Sequence, residues 1–475
     1  MNIWKKFNRK EDPRIYENKD GHLVRSLKVK DILALGVGTI VSASIFTLPG
    51  EVAAMHTGPS VAISFILAAI AAGLVAFAYA EMAAAMPFAG SAYSWINVVF
   101  GEFWGWVAGW ALLAEYFIAL AFVGSGLSAN FRALIAPLGW KLPASLSNAF
   151  GTNGGIVDII SVISIALVAI LVLNGVSRVA RIENLLVILK VIAIVLFVVV
   201  GATAIKHANY VPFIPKYRET SNGAFGGWQG IYAGVSMIFL SYIGFDSVAA
   251  NSAEAIEPQK TMPRGIIGSL IIAVVLFVSV SLVLVGVMPY SDYANNAEPV
   301  GLALRAAGHP IVAVVVQTIA VFGMFTALIG MTMAGSRLIY SFGRDGMLPK
   351  TLGKLDNKRR PNNAVLAITF IAILIGAIFP FAALSQLISA GTLIAFMFVS
   401  LGIYPLRRRE GRDIDDPSFK MPLYPIMPFL AFLASFIVFL GLDQQAKLYA
   451  GIWFVLGVII YLVYGIRHSS LNKKK

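Results

Sequence analysis

The sequence predicts an all-α membrane protein with 12 transmembrane helices: an inverted repeat of five plus five helices, then two extra helices. Three observations carry that expectation. Of 475 residues, 58% are hydrophobic and 13% charged, about half the charged share of a soluble domain. Apolar stretches of roughly the 20 residues that a spanning helix needs recur along nearly the whole chain. Two of these stretches are interrupted at their centres by a short polar, flexible run, and the interrupted stretches lie five apart.

In order, the candidate spans are 31–55, 59–86, 100–135, 155–174, 182–205, 226–253, 263–288, 306–336, 362–379, 383–405, 422–441 and 447–466. Residues 1–30 read as a tail, 31–205 as the first five-helix repeat, 226–405 as the second, 422–466 as helices 11 and 12, and 467–475 as a second tail. The stretch 361–406 carries no Asp, Glu, Lys or Arg. It is too long for one crossing, and Phe379-Pro380-Phe381 supplies a turn that divides it. The interruption in the first span runs from Gly36-Val37-Gly38-Thr39-Ile40-Val41 to Ser42-Ala43-Ser44-Ile45-Phe46. That in the sixth reads Phe239-Leu240-Ser241-Tyr242-Ile243-Gly244-Phe245-Asp246. A helix in lipid satisfies its own backbone, so a break is tolerated only where protein or a cavity covers it. Broken helices at corresponding positions of two halves point to a transporter site near the membrane midplane.

The net charge of +13 does not indicate nucleic acid, because of where the charge sits. Most of the 37 lysines and arginines fall in the N-terminal segment, the even-to-odd loops and the C-terminal tail. That is the positive-inside bias of a multi-pass protein with both termini cytoplasmic. The densest clusters, Lys358-Arg359-Arg360 and Arg407-Arg408-Arg409, read as topology anchors, with anionic lipid headgroups as minor partners. The chain has no cysteine, which excludes disulfides and thiol chemistry. Its first 30 residues lack the apolar core of a cleavable signal peptide, so the first span is expected to direct insertion. There is no His/Asp/Glu cluster with metal-ligand spacing, no phosphate-binding glycine loop and no soluble ATPase domain. No metal or other cofactor is expected, and the drive must be an ion gradient, a counter-substrate or nothing. An intramembrane enzyme would need a nucleophile with its base or a metal triad, and neither is present. A channel is disfavoured by the lack of a filter-like repeat.

The residues at and around the breaks resemble the amino acid–polyamine–organocation superfamily. Tyr79-Ala80-Glu81-Met82 precedes Pro87-Phe88-Ala89-Gly90-Ser91-Ala92-Tyr93; Gly244-Phe245-Asp246 precedes Ala253-Glu254 and Pro258-Gln259-Lys260-Thr261-Met262-Pro263; Gly335-Ser336-Arg337 precedes Arg344-Asp345-Gly346-Met347-Leu348-Pro349. The likeness covers about 25–467. Within the superfamily the chain is similar to the cationic amino acid transporter family, and more closely to its bacterial branched-chain amino acid permeases, which take neutral substrates. One departure matters. The family pattern in the first break is Gly-x-Gly-Ile-Phe, and here Ser42 and Ser44 stand at the glycine positions. Serine narrows the approach of a ligand to the backbone but adds hydroxyl donors. The run Thr39 to Gly50 also resembles the branched-chain version of the motif.

The resemblance implies secondary uptake of leucine, isoleucine or valine, with methionine a further substrate, across a plasma membrane. It implies alternating access, with spans 1, 2, 6 and 7 moving against spans 3, 4, 8 and 9. A cationic amino acid or polyamine permease is the nearest rival on the same fold, and a non-transporting amino acid sensor is a rival of another class.

An amino acid zwitterion needs donors for its carboxylate and acceptors for its ammonium a few ångströms apart. Free N–H groups at Ser44, Ile45 and Phe46, beside Ser42 and Ala43, suit the carboxylate. Free carbonyls near Thr39, Ile40, Phe239 and Ser241 suit the ammonium. The competing reading makes such breaks hinges or close packing points. Leu240 and Ile243 are expected apolar walls, with Ala119, Met324 and Leu328 behind them. The resemblance makes Phe245 a gate, with core packing as its alternative.

Three ionisable residues lie well inside spans, where such groups usually face a cavity or a partner. Lys190, in span 5, matches the lysine of proton-coupled relatives, which stands where sodium-coupled relatives hold a cation between helices 1 and 8. Burial makes proton exchange feasible for such a lysine, and protons are the expected coupling ion. The alternative is a permanent charge that ties helix 5 to carbonyls of helix 1. Glu115 in span 3 is a second candidate proton carrier. Asp246 after the second break would join it in binding a cationic side chain if both faced the substrate; turned to a helix end, it would leave the pocket neutral. Glu81 is expected to be structural, bonding the 87–93 loop.

Overall fold

Uncharged apolar stretches fold as long helices here because a helix closes its own backbone hydrogen bonds where water is scarce. The computed structural model describes residues 3–473 except 21–22, 137–138, 141, 152–153, 222, 295, 297 and 379–380. Among the described residues, 8 stretches are long and apolar enough to cross a membrane, and one of them, Val29–Ala85, runs for 57 residues. Three shorter apolar helices, Ile159–Leu173, Asn362–Ala377 and Ile426–Leu440, accompany them.

The first predicted span is split into α1 (Val29–Ile40) and α2 (Ser44–Val52). There follow α3 (Val61–Ala85), the short α4 (Ala92–Val99), α5 (Glu102–Ile135), α6 (Ile159–Leu173) and α7 (Val176–Ala202). The sixth predicted span is split into α8 (Gly227–Ile238) and α9 (Phe245–Ala249). The rest are α10 (Pro258–Val287), α11 (Pro299–Ala306), α12 (Pro310–Asp345), α13 (Asn362–Ile378), α14 (Phe381–Arg407), α15 (Ile426–Leu440) and α16 (Gln444–Ile460). The turn expected at Phe379-Pro380 lies outside the described residues, and α14 begins at Phe381.

Several ends differ from expectation for physical reasons. Helix α10 starts at Pro258 rather than 263, since proline in the first turn gives up no needed N–H. Helix α12 runs to Asp345 rather than 336. Its late charges read as loop but are paired, Arg337 with Glu254 at 2.7 Å and Arg344 with Asp20 at 2.5 Å. Gly346, at φ +78°, ends the helix in the left-handed region. The connection before α8 holds an unanticipated hairpin, β1 (Arg218–Thr220) antiparallel to β2 (Gly223–Phe225), with Arg218 opposite Phe225. Gly223, at φ +95°, opens β2 directly after the two-residue turn.

The segment expected as a tail is docked. A short helix, Pro13–Asp20, buries Tyr16, whose hydroxyl donates to Asp345 at 3.0 Å, while Asp20 accepts from the Ala89 N–H at 2.9 Å.

The helices pack in two groups. Helix α10 lies on α1 and α3, and α3 lies on α8. In the second, α5 lies on α6, α12 and α13, and α12 lies on α13; the groups also meet directly, where α12 lies on α1 and α9. Helix α7 touches both groups, with α12 on one side and α1 and α10 on the other.

Candidate functional site

At the first break the chain leaves the helix after Ile40, and Val41 takes φ −81°, ψ 68°. The Ser42 N–H donates to the Ile40 carbonyl at 2.9 Å, and the Phe46 N–H to the Ala43 carbonyl at 3.1 Å. The Ser42 and Ser44 hydroxyls lie 3.2 Å apart. The C-terminus of one half-helix thus meets the N-terminus of the next, so carbonyls and N–H groups flank one gap.

At the second break Phe239–Tyr242 form a 3-10 turn, Ile243 is extended and Gly244 sits at φ +136°. Only glycine enters that conformation without strain. Space requires it too: a Cβ at Gly244 would lie 3.0 Å from the Ile40 nitrogen and from the Thr39 methyl. The two breaks therefore meet, backbone against backbone. The Ser241 hydroxyl is buried with no hydrogen-bond partner among the described residues. Leu240, Ile243, Ala119, Met324 and Leu328 are all buried. Phe245 is fully buried, stacked on Phe396 at 5.1 Å and edge-on to Tyr79 at 5.5 Å.

Lys190 crosses from α7 to the first break. Its Nζ donates to the Gly38 carbonyl at 2.9 Å, to the Gly323 carbonyl at 3.3 Å and to Thr326 Oγ1 at 2.6 Å. The Thr326 hydroxyl also reaches the Gly38 carbonyl, at 2.9 Å. One ammonium group therefore ties α7, α1 and α12 through oxygens alone, the donor set that would suit a bound cation. Gly323 makes room for it, since a Cβ there would touch the lysine stem at 2.9 Å.

The two embedded acids face each other directly, and neighbouring residues hold each of them. Thr392 donates to Glu115 Oε2 at 2.6 Å. Tyr116, next in the chain, donates to Asp246 Oδ2 at 2.9 Å, and the Gly244 N–H donates to Asp246 Oδ1 at 3.0 Å. Asp246 is turned to the end of α9, where it holds the break in shape.

Glu81 is structural but does not bond the 87–93 loop as expected. It receives Arg407 at 2.6 and 2.9 Å and the Met421 N–H at 2.5 Å, which joins α3 to the far end of α14. The loop is held instead by Asp20 at Ala89 and by Ser252 Oγ, which donates to the Phe88 carbonyl at 2.9 Å. In the basic clusters, Arg360 pairs with Asp356, Arg407 with Glu81 and Arg409 with Asp413. Lys358, Arg359 and Arg360 line a cavity of about 430 Å³ with Arg181, Arg337 and Glu254. Outside the spans, burial lifts the Asp20 carboxyl above its ordinary range against the pull of Arg344. Hydrogen bonds from Arg409 hold the Asp413 carboxyl below it.

One embedded acid escaped sequence reasoning. Glu183 is 1% exposed on α7, and its signal was a seven-residue spacing from Lys190, which places both on one helix face.

Paired helix breaks that meet, with an ammonium bonded to the carbonyl of Gly38 beside one of them, mark the candidate site of a multi-pass membrane protein. A family model described as Amino acid permease matches residues 27–464. The chain is 62% identical over 464 residues to the branched-chain amino acid permease BcaP of Lactococcus lactis subsp. cremoris (strain MG1363), covering 98% of this chain and 99% of that one. It is 34% identical over 459 residues to the methylthioribose transporter of Bacillus subtilis (strain 168), covering 96% and 97%. It is 32% identical over 389 residues to the vacuolar cationic amino acid transporter 4 of Arabidopsis thaliana, covering 81% and 64%. The chain belongs to the amino acid permease family, and thus to the amino acid–polyamine–organocation superfamily. It is a multi-pass membrane permease whose substrate is a small molecule, an amino acid.

Proposed function

We propose that this permease imports neutral branched-chain amino acids by proton-coupled alternating access across the plasma membrane, with both termini cytoplasmic. The observation that carries the reading is the contact of Gly244 with Thr39 and Ile40, which brings both breaks to one point beside aliphatic walls. The substrate carboxylate takes the N–H groups of Ser44 and Ile45 and the hydroxyls of Ser42 and Ser44. Its ammonium takes the carbonyls of Thr39, Ile40 and Phe239 and the free Ser241 hydroxyl, and Phe245 gates the site. Leu240, Ile243, Met324 and Leu328 enclose an aliphatic side chain. A neutral pocket is favoured because Asp246 is already engaged by Tyr116 and Gly244. The name of the Lactococcus relative points to the same substrates.

The long Val29–Ala85 stretch holds two crossings, which with the other helices makes twelve and allows the five-plus-five inverted repeat. In this scheme α1, α2, α3, α8, α9 and α10 rock against α5, α6, α12 and α13. Protonated Lys190 ties α1 on the moving side to α12 on the fixed side. Loss of its proton weakens that tie and frees the motion, so proton and substrate are linked by their preference for one state. Glu115 is the second candidate carrier.

The test is uptake of labelled leucine into proteoliposomes under an acid-outside gradient in sodium-free buffer, challenged with excess isoleucine, alanine or arginine. Accumulation blocked by isoleucine and untouched by arginine is expected. Blockade by arginine would make this a cationic permease. Strict sodium dependence would sink proton coupling, and saturable binding without accumulation would indicate a sensor.

A further inference from the structure

We propose that Glu183 is a second proton-binding site of this permease, which relays protons between Lys190 and the end of α7 that carries Arg181. The inference rests on the proton-coupled reading above and extends it. Glu183 is buried, and neither of its carboxylate oxygens has a hydrogen-bond partner among the described residues. The other buried acids near the helix breaks and their flanks differ. Glu81, Glu115, Asp246 and Glu254 each accept at least one hydrogen bond. An ionised carboxylate with no donor is among the costliest groups to bury, and an intramembrane acid of this kind is a usual element of a proton path.

Its placement fits a relay. Glu183, Val187, Lys190, Ile194 and Phe197 form the buried face of α7, while Ile188, Ile192, Val195 and Val199 form an exposed face. Glu183 and Lys190 lie about 10 Å apart along the axis, and both converge on Gly38. The ammonium holds the Gly38 carbonyl at 2.9 Å. The Glu183 carboxylate fills the space where a Cβ on Gly38 would stand, so glycine there admits the acid. Among the described residues, Lys190 is the charged group that acts on Glu183, and none from α10 or α12 does so. Arg337 on α12 is paired with Glu254. Toward the Arg181 end, Asn184 donates to Asp31 Oδ1 at 2.7 Å. Asp31 is half-buried in the first turn of α1, so polar groups continue to the surface.

The step balances without a co-reactant. Glu183 rests as the neutral acid, and its O–H bond breaks toward water at the Arg181 end as α1 moves and admits water. An N–H bond of the Lys190 ammonium then breaks, and that proton, carried by water, forms a new O–H bond on Glu183. That leaves a neutral amine and restores the neutral acid. Lys190 is reprotonated from the other side in the next cycle.

The experiment compares wild type, Glu183→Gln and Glu183→Asp in proteoliposomes, with leucine–leucine exchange and gradient-driven leucine accumulation measured across internal pH. Exchange needs no net proton transfer. Glu183→Gln is expected to keep it while losing accumulation roughly tenfold or more. Glu183→Asp is expected to keep accumulation with a displaced internal-pH profile. Wild-type accumulation in Glu183→Gln, equal loss of exchange and accumulation in it, or an unmoved profile in Glu183→Asp would overturn the relay alone. A wild type that ignores the pH gradient would overturn the coupling reading and the relay together.

Discussion

Buried charges at the two levels of this molecule are handled in opposite ways. Near the end that carries the N-terminal segment they come as ion pairs: Arg337 with Glu254 at 2.7 Å, Arg344 with Asp20 at 2.5 Å and Arg407 with Glu81 at 2.6 Å. Around the helix breaks, Lys190, Glu183, Glu115 and Asp246 form no ion pair among the described residues. Carbonyls, hydroxyls and one N–H hold Lys190, Glu115 and Asp246, and the carboxyls of Glu115 and Asp246 also face each other. A pair neutralises itself and stays put, so it serves the fold. A group without a fixed counter-ion beside it can gain or lose a proton without stranding an opposite charge, so it can serve a cycle. The same chain thus separates structural from working charge by the choice of partner.

Removing one member of each class separates the two roles. Arg337→Ala leaves Glu254 buried and alone, and should cost about 3–5 kcal/mol of stability, read as a large fall in melting temperature in detergent. Lys190→Met should melt closer to wild type while gradient-driven leucine uptake falls to background. If both variants lose the same stability, partner choice does not distinguish the two roles.

Next in size is Gly244→Ala. The φ of +136° and the 3.0 Å approach to Ile40 and Thr39 place its cost at about 1–3 kcal/mol. Transport should fail even where the protein folds, because the added methyl pushes the two breaks apart. An active, stable Gly244→Ala would show that the breaks need not touch, and the midplane would lose its claim to be the binding level.

How much of this was legible beforehand follows from the range of the interactions. The breaks were visible because glycine and serine inside an apolar run are local signals, and Lys190 was visible because a lone charge in such a run is conspicuous. Glu183 was not. With apolar residues on both faces of α7, periodicity cannot say which face is buried, and Glu183 lies near the basic loop. The docking of Tyr16 and Asp20 was hidden because their partners, Asp345 and Arg344, lie more than three hundred residues on. The last turns of α12 were hidden for the same reason: Arg337 and Arg344 read as the end of a span until their acids are placed beside them. Glu81 was recognised as structural, but its true partner Arg407 stands at the end of another helix. Helix breaks are written locally, whereas ion pairs between distant segments are not.

The smallest expected effect on stability is also the most direct probe of substrate. Ser241 brings to the second break a buried hydroxyl with no hydrogen-bond partner among the described residues. Deleting an unsatisfied hydroxyl costs the fold little or nothing, so Ser241→Ala should melt within about 0.5 kcal/mol of wild type. If that hydroxyl receives the substrate ammonium, its loss removes a hydrogen bond to a charged group and should weaken leucine binding roughly tenfold. Equilibrium binding of labelled leucine to purified protein measures this without any gradient. Unchanged affinity would make the second break a hinge and leave recognition to the first, whereas weakened affinity at unchanged stability would show that an unpaired polar atom at this level is reserved for the ligand.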